Sequence, residues 1–122
     1  MKNITPGFAE SFAEEWISSW NSHDINKILS HYSEDFIIES RIAFKLVPGS
    51  NGKVVGKKAV KEYWIAGLNQ NKNFEFKMLE VLIGINGLSI YYLNTATGLR
   101  AVEMMLFNQE GKVQKAFVHH SK

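Results

Sequence analysis

The sequence predicts an α+β domain, with helices in the first half of the chain and an antiparallel sheet in the second. Three observations predict it. Phe8, Phe12, Trp16 and Trp20 recur every four residues, the spacing of one helix face. From Phe74 onward the pattern changes to alternation, cut into four strands by turn sequences at Asn86-Gly87, Asn94 to Gly98 and Asn108 to Gly111. Within that half, Leu99 to Phe107 reads as a strand buried on both faces, with Glu103 at its centre. A lone carboxylate in such a place must be paired, protonated or useful, because burial penalises its charged form.

In chain order, Thr5 is a good cap and Pro6 a good first residue for the opening helix, since the missing proline N–H would have no partner there anyway. Asn21 to Asp24 breaks the pattern, and Asp24 caps a second helix that puts Ile25, Ile28, Leu29 and Tyr32 on one face. Phe36 to Phe44 reads as a strand. Lys45 to Gly56, with Pro48-Gly49, Gly52 and Gly56, reads as a loop holding a short strand at Lys53 to Val55. A third helix spans about Lys57 to Leu68, with Val60, Tyr63, Trp64 and Leu68 as its buried stripe. The strands from Phe74 then form a meander, and Asn86-Gly87 reads as a two-residue hairpin turn. Residues 1–122 form one domain without repeat or linker.

Composition bounds the function. The hydrophobic fraction of 45% and charged fraction of 21% are those of an ordinary globular protein. The net charge is +2, and the 14 Lys and Arg are scattered, with no run longer than Lys57-Lys58. Nucleic-acid binding uses a concentrated basic patch, so no nucleic-acid partner is expected. The absence of cysteine excludes disulfides, thiolate metal sites and a cysteine nucleophile. The opening residues Met1 to Pro6 lack an apolar signal run, and no apolar stretch approaches the roughly 20 residues of a spanning helix. The expectation is a cytoplasmic protein with no membrane partner. No metal or other cofactor is expected, because the adjacent pair His119-His120 points to opposite faces of a strand.

Helices with broad aromatic faces packed on a curled sheet leave a cone with a hollow interior, a usual form for a small-ligand pocket. Several phrases carry a likeness to a known superfamily. They are Trp20-Asn21-Ser22-His23-Asp24, Tyr32-Ser33-Glu34-Asp35-Phe36, Val55-Gly56-Lys57-Lys58-Ala59-Val60 and Phe107-Asn108-Gln109-Glu110-Gly111-Lys112-Val113. With the order of elements, they make the chain resemble the cone-shaped nuclear transport factor 2-like (NTF2-like, cystatin-like) fold over about its whole length. Within that superfamily it resembles the SnoaL-like and ketosteroid isomerase-like group. The resemblance implies three N-terminal helices on a curved, mostly antiparallel sheet. It does not by itself imply one activity, because the fold hosts isomerases, cyclases, hydrolases and binding domains.

The resemblance also implies site residues. Ketosteroid isomerases use a carboxylate at the end of the first strand as general base, and the matching position here is Ser40. A serine cannot take a proton from carbon at neutral pH unaided, which disfavours steroid isomerase activity. Glu39 alternates to the opposite face. Trp16 matches the tyrosine of the isomerase oxyanion hole, and Glu103 matches its protonated acid. Tyr32 is kept from the family's tyrosine network, and Trp64 replaces a tyrosine. If Glu103 faces the pocket, strand alternation turns Gln114, Ala116, Val118 and His120 inward. The candidate catalytic set is then Glu103, His120 and Tyr32. The expected ligand-binding wall is Trp16, Phe36, Ile38, Ser40, Trp64, Ala101, Met105 and Val118. Each has a plainer reading: the tryptophans as core, Glu103 as a salt-bridged structural residue, His119-His120 as a surface terminus, and His31 as exposed or capping.

Two functional classes follow. One is an acid–base isomerase or polyketide cyclase-like enzyme acting on an apolar carbonyl-type compound. The other is a noncatalytic binding domain for a small hydrophobic ligand, or a dimeric interaction module with a vestigial pocket. In every case Val102, Met104 and Leu106 face away from the cone, with Val113, Phe117 and His119 beside them. No element is left to cover that face, so a homodimer through the sheet is expected.

Overall fold

Thr5 caps the first helix as its sequence suggests, its hydroxyl oxygen accepting from the Phe8 N–H at 3.1 Å, with Pro6 at the first helical position. The structure, a computed structural model, describes residues 3–122; Met1 and Lys2, from the opening stretch read for a signal run, lie outside the described residues. Helix α1 runs Pro6–Ser22 and α2 Ile25–Leu29, the latter capped by Asp24, whose carboxylate accepts from the Asn26 and Lys27 N–H groups. Then follow strand β1 (Tyr32–Glu39), helix α3 (Arg41–Leu46), strand β2 (Lys53–Val55) and helix α4 (Lys57–Gln70). Strands β3 (Phe76–Ile83), β4 (Gly87–Asn94), β5 (Arg100–Phe107) and β6 (Val113–His120) complete the chain. No helix among the described residues is long and apolar enough to cross a membrane.

The six strands form one sheet in the order β2-β1-β6-β5-β4-β3. All neighbours are antiparallel except β1 and β6, which run parallel. Strand β5, with its central carboxylate, is third from one edge, paired on both sides. Its alternation is strict: Ala101, Glu103, Met105 and Phe107 are buried, and Met104 on the other face is exposed. The helices supply the opposite wall of the core. Trp16 is fully buried, in ring contact with Trp20, Phe76 and Tyr92. Phe8 and Phe12 pack edge-on against Phe107, at 5.4 and 4.9 Å between centroids.

The segment Asn21 to His23 ties α1 to the start of the meander. The Asn21 side chain donates to the Phe76 carbonyl at 2.9 Å and accepts from the Phe76 N–H at 2.7 Å. His23, in left-handed backbone at φ 59°, ends α1, stacks on Phe74 at 4.3 Å and bonds to the Phe74 carbonyl. Phe74 and Phe76 are thereby held beside Trp20.

Four local readings are corrected. The expected strand from Phe36 to Phe44 starts earlier, at Tyr32, and stops at Glu39; Ser40 then caps a six-residue helix, α3, accepting from the Ile42 N–H at 3.1 Å. The third expected helix is therefore α4, and Tyr32 lies on a strand instead of the α2 face. The two loop residues of the β3–β4 hairpin are Ile85-Asn86, closed by the Gly84 N–H donating to the Gly87 carbonyl at 2.8 Å, so Gly87 is already strand. Gly87 is needed there for close approach: a Cβ would sit 2.1 Å from the Met105 carbonyl oxygen. Finally, the β5–β6 register shifts at Gln114. That extra residue turns Val113 inward and buried and leaves Gln114 exposed, donating to Asp35 at 3.1 Å, which is the reverse of simple alternation.

Candidate functional site

Between α3, α4 and the inner face of β4 to β6 lies a cavity of about 230 Å³. Its wall is mostly apolar and aromatic, and includes Trp20, Trp64, Leu68, Phe74, Phe76 and Val118. Its polar groups are few: Glu103, Tyr63, Tyr92, Ser40, His120, and Asn94, Gln70 and Asn71.

Glu103 stands at the inner end of this arrangement, 4% exposed. Its cross-strand neighbours are Ile90 on β4 and Val118 on β6, both apolar. The Tyr92 hydroxyl donates to Oε2 at 2.8 Å. No lysine or arginine pairs with the carboxylate among the described residues. Burial pushes its pKa up to about 7, with the Tyr92 hydrogen bond pulling the other way. Its charge in turn helps to raise the phenol pKa values of Tyr32, Tyr63 and Tyr92, after burial itself; Tyr63 reaches about 12. All three tyrosines therefore stay protonated at neutral pH; Tyr92 and Tyr63 donate, to Glu103 and Ser40, and Tyr32 accepts from Trp16.

Ser40 lines the cavity, but its oxygen is occupied as a helix cap and accepts from the Tyr63 hydroxyl at 3.4 Å. Among the described residues no carboxylate stands at this strand end on the inner face; Glu39 lines the groove on the other side. His120 is opposite Ala101, one inward position along from the Glu103–Val118 pair. Its side chain lines the same cavity without bonding to Glu103, and its Nδ1 is buried with no hydrogen-bond partner. Burial, then the charges of Arg41, His119 and Lys45, hold its pKa down. The ring is neutral at pH 7. Trp20 Nε1 is likewise buried without a partner, although the indole is near enough to the Tyr32 phenol to favour its anion. Among the described residues no three His, Asp or Glu side chains converge to hold a metal ion.

Of the residues singled out in the sequence, Glu103, His120, Ile38, Ser40, Trp64 and Val118 border the cavity. Trp16, Tyr32, Phe36, Ala101 and Met105 share the inner face but not the cavity wall. Trp16 Nε1–H donates to the Tyr32 hydroxyl at 2.8 Å, so this pair forms a closed, fully buried hydrogen bond behind the cavity. Phe36 is packed between Tyr32 and Trp64, at 4.4 and 5.8 Å. Met105 lies deeper in the core, and the short Ala101 side chain sits between Tyr92 and His120. Sequence reasoning missed Tyr63, Tyr92, Trp20, Phe74 and Phe76 as wall residues. Tyr92 was accessible from hairpin register: it is inward, diagonal to Glu103 across β4 and β5.

The sequence matches the SnoaL-like domain over residues 13–114. The chain belongs to that family. A SnoaL-like protein of unknown function from Burkholderia thailandensis has a TM-score of 0.93 at 33% identity, over 98% of this chain and 99% of its own. Two more distant structures share the fold with this SnoaL-like domain. A steroid delta-isomerase from Pseudomonas aeruginosa is 17% identical with a TM-score of 0.69, covering 93% of this chain and 80% of the isomerase. A Mycobacterium tuberculosis protein in complex with estradiol-17beta-hemisuccinate is 16% identical with a TM-score of 0.73, covering 91% and 92%. No curated protein matches the SnoaL-like chain in sequence.

Proposed function

We propose that this SnoaL-like domain is a small acid–base enzyme of the isomerase or cyclase kind, acting on an apolar compound with a carbonyl group. The observation that carries the reading is Glu103: a buried carboxyl with no cation beside it, open to an apolar cavity and titrating near neutrality. Tyr92 holds Oε2, and Oε1 takes no hydrogen bond from the described residues. Ionised, Oε1 accepts a proton from the carbon next to the ligand carbonyl; protonated, it returns that proton at a second carbon. A pKa near the working pH keeps both forms available. The neutral His120, whose Nδ1 has no hydrogen-bond partner, is placed to donate to the ligand oxygen, beside the Tyr63 hydroxyl that Ser40 holds. Chemistry runs through Glu103 alone, since Ser40 supplies no base. The estradiol-ester complex and the steroid isomerase on the same fold support an apolar cyclic ligand.

Exchange of the α-protons of a bicyclic ketone such as 2-decalone in D2O, followed by NMR, tests this. The wild type should exceed buffer, and Glu103→Gln should be at least tenfold slower than the wild type, a modest share of what a well-placed base contributes. Equal rates would remove the acid–base role. The noncatalytic binding domain, which the cap role of Ser40 favours, would then be the better reading.

We also propose that the outer sheet face pairs two copies of the chain. Val102, Met104 and Leu106 on β5, Phe117 on β6 and Tyr91 on β4 share that face, and Met104 is 42% exposed. No helix packs there among the described residues. A symmetric dimer would withdraw this apolar surface from water. Light scattering at micromolar concentration should give twice the 13.9 kDa chain mass, and Met104→Lys should lower it. A mass of 13.9 kDa for the wild type would contradict the pairing.

A further inference from the structure

Ser40 and Val118 stand at one side of the cavity. Both residues also line a second, more open groove of about 580 Å³ on the far side, together with Arg41, Lys45 and His119. The two spaces therefore share one short rim, Ser40 and Val118. Helix α3 decides what that rim presents. Ile42 and Leu46, four residues apart, face the cavity, while Arg41 and Lys45, also four apart, face the groove. Both cations are exposed, and neither is ion-paired among the described residues. Their charges reach the His120 ring in the cavity wall, whose buried Nδ1 lacks a partner. The groove also contains one acid, Glu39, but it lies across the β1–β2 ladder from Lys53. The rim thus has a net positive field beside a mostly apolar cavity, whose own carboxyl, Glu103, stands on the β5 side of its wall.

We propose that the ligand of this cavity is an apolar carboxylate, with its ring system between Trp64, Leu68 and Phe74 and its anionic end at the rim beside Arg41 and Lys45. This rests on the cavity being the ligand site, as proposed above, and adds the class of molecule it selects. Burial beside Glu103 penalises a second carboxylate by desolvation, and by repulsion as well once Glu103 is ionised, so the charge must point outward and the uncharged end inward. That orientation presents the ligand body, and any carbonyl on it, to Glu103. Without the rim cations an anion would gain nothing over its neutral analogue.

The test titrates the full chain at pH 6 with 2-naphthoate and with its neutral analogue 2-naphthamide, reading the indole N–H cross-peaks of Trp20 and Trp64 in 15N–1H correlation spectra. The carboxylate should bind at least about fivefold more tightly than the amide, in the range expected of exposed charge contacts. That ratio should fall toward one in the double variant Arg41→Gln, Lys45→Gln and in 0.5 M salt, and be unchanged in Lys58→Gln, Lys61→Gln on the remote part of α4. Equal affinity of the two probes for the wild type would overturn the carboxylate assignment and leave the cavity site standing. A preference that survives Arg41→Gln, Lys45→Gln would also overturn it. If neither probe shifts either indole while 2-decalone still exchanges its protons, the assignment fails and the acid–base reading holds. If both experiments are blank, both fail.

Discussion

Between about pH 5 and pH 8 the wild-type domain should lose roughly 3 kcal/mol of stability that its Glu103→Gln variant keeps. The ordinary carboxyl pKa of 4.5 becomes about 7 for Glu103 in the folded chain. Below 4.5 the folded and unfolded chains both hold the proton, and the residue contributes no pH dependence. Between the two values the unfolded chain has released its proton and the folded chain has not, so raising the pH draws the equilibrium toward the unfolded state. Above about 7 both are ionised, and the cost of the buried charge stays constant. The pKa values of His31 and His120 are depressed by burial. Their effect has the opposite sign, with stability gained as pH rises toward their unfolded value, and it is common to both proteins. The difference between the two urea-denaturation profiles therefore isolates Glu103. A difference that does not change with pH would show an ordinary, compensated carboxylate.

Trp16→Ala should cost about 3–5 kcal/mol, the range for removing a large aromatic from a core, before the loss of its hydrogen bond is added. Trp16 is fully buried and touches three other aromatic rings. Its indole also satisfies the Tyr32 hydroxyl, which is 1% exposed. Removing that donor leaves a buried phenol oxygen without it, at about 1–3 kcal/mol. The melting temperature should fall by more than about 10 °C. Trp16→Phe should lose less, because ring packing survives and only the donor and some volume go. The comparison also separates structure from site, since Trp16 does not border the cavity. Trp16→Phe should therefore leave 2-decalone exchange near the wild-type rate, and a loss as deep as that of Glu103→Gln would place Trp16 in the chemistry after all.

What the sequence made legible was what its periodicity encodes. The four-residue recurrence from Phe8 to Trp20 is α1, the Asp24 cap is α2, and the alternation after Phe74 is the meander. Helix α3 escaped because six residues hold too little of a helical period to oppose the strand propensity of Ile42 and Phe44. Only Ser40 marked it, as a cap. The parity argument put Glu103 on the inner face, where it is. The same argument failed for Gln114 and Val113, because a one-residue bulge inverts the alternation and has no composition signature at that point. Parity also says which face a side chain takes and not how deep it lies along the strand. Met105 and Phe107 share the inner face with Glu103, but Phe8 and Phe12 fill the core around Phe107, and open space begins only nearer the rim that α3 and α4 build. Trp16, Tyr32 and Phe36 are on the filled side of that boundary.

The central claim is that Glu103 exchanges its proton near neutrality because it is buried beside one phenol and no cation. A 13C NMR titration of its side-chain carboxyl tests that claim without a ligand. The account predicts a midpoint near 7 in the wild type, moving higher in Tyr92→Phe, where the hydrogen bond to the anion is gone. A midpoint at or below the ordinary 4.5 would contradict it.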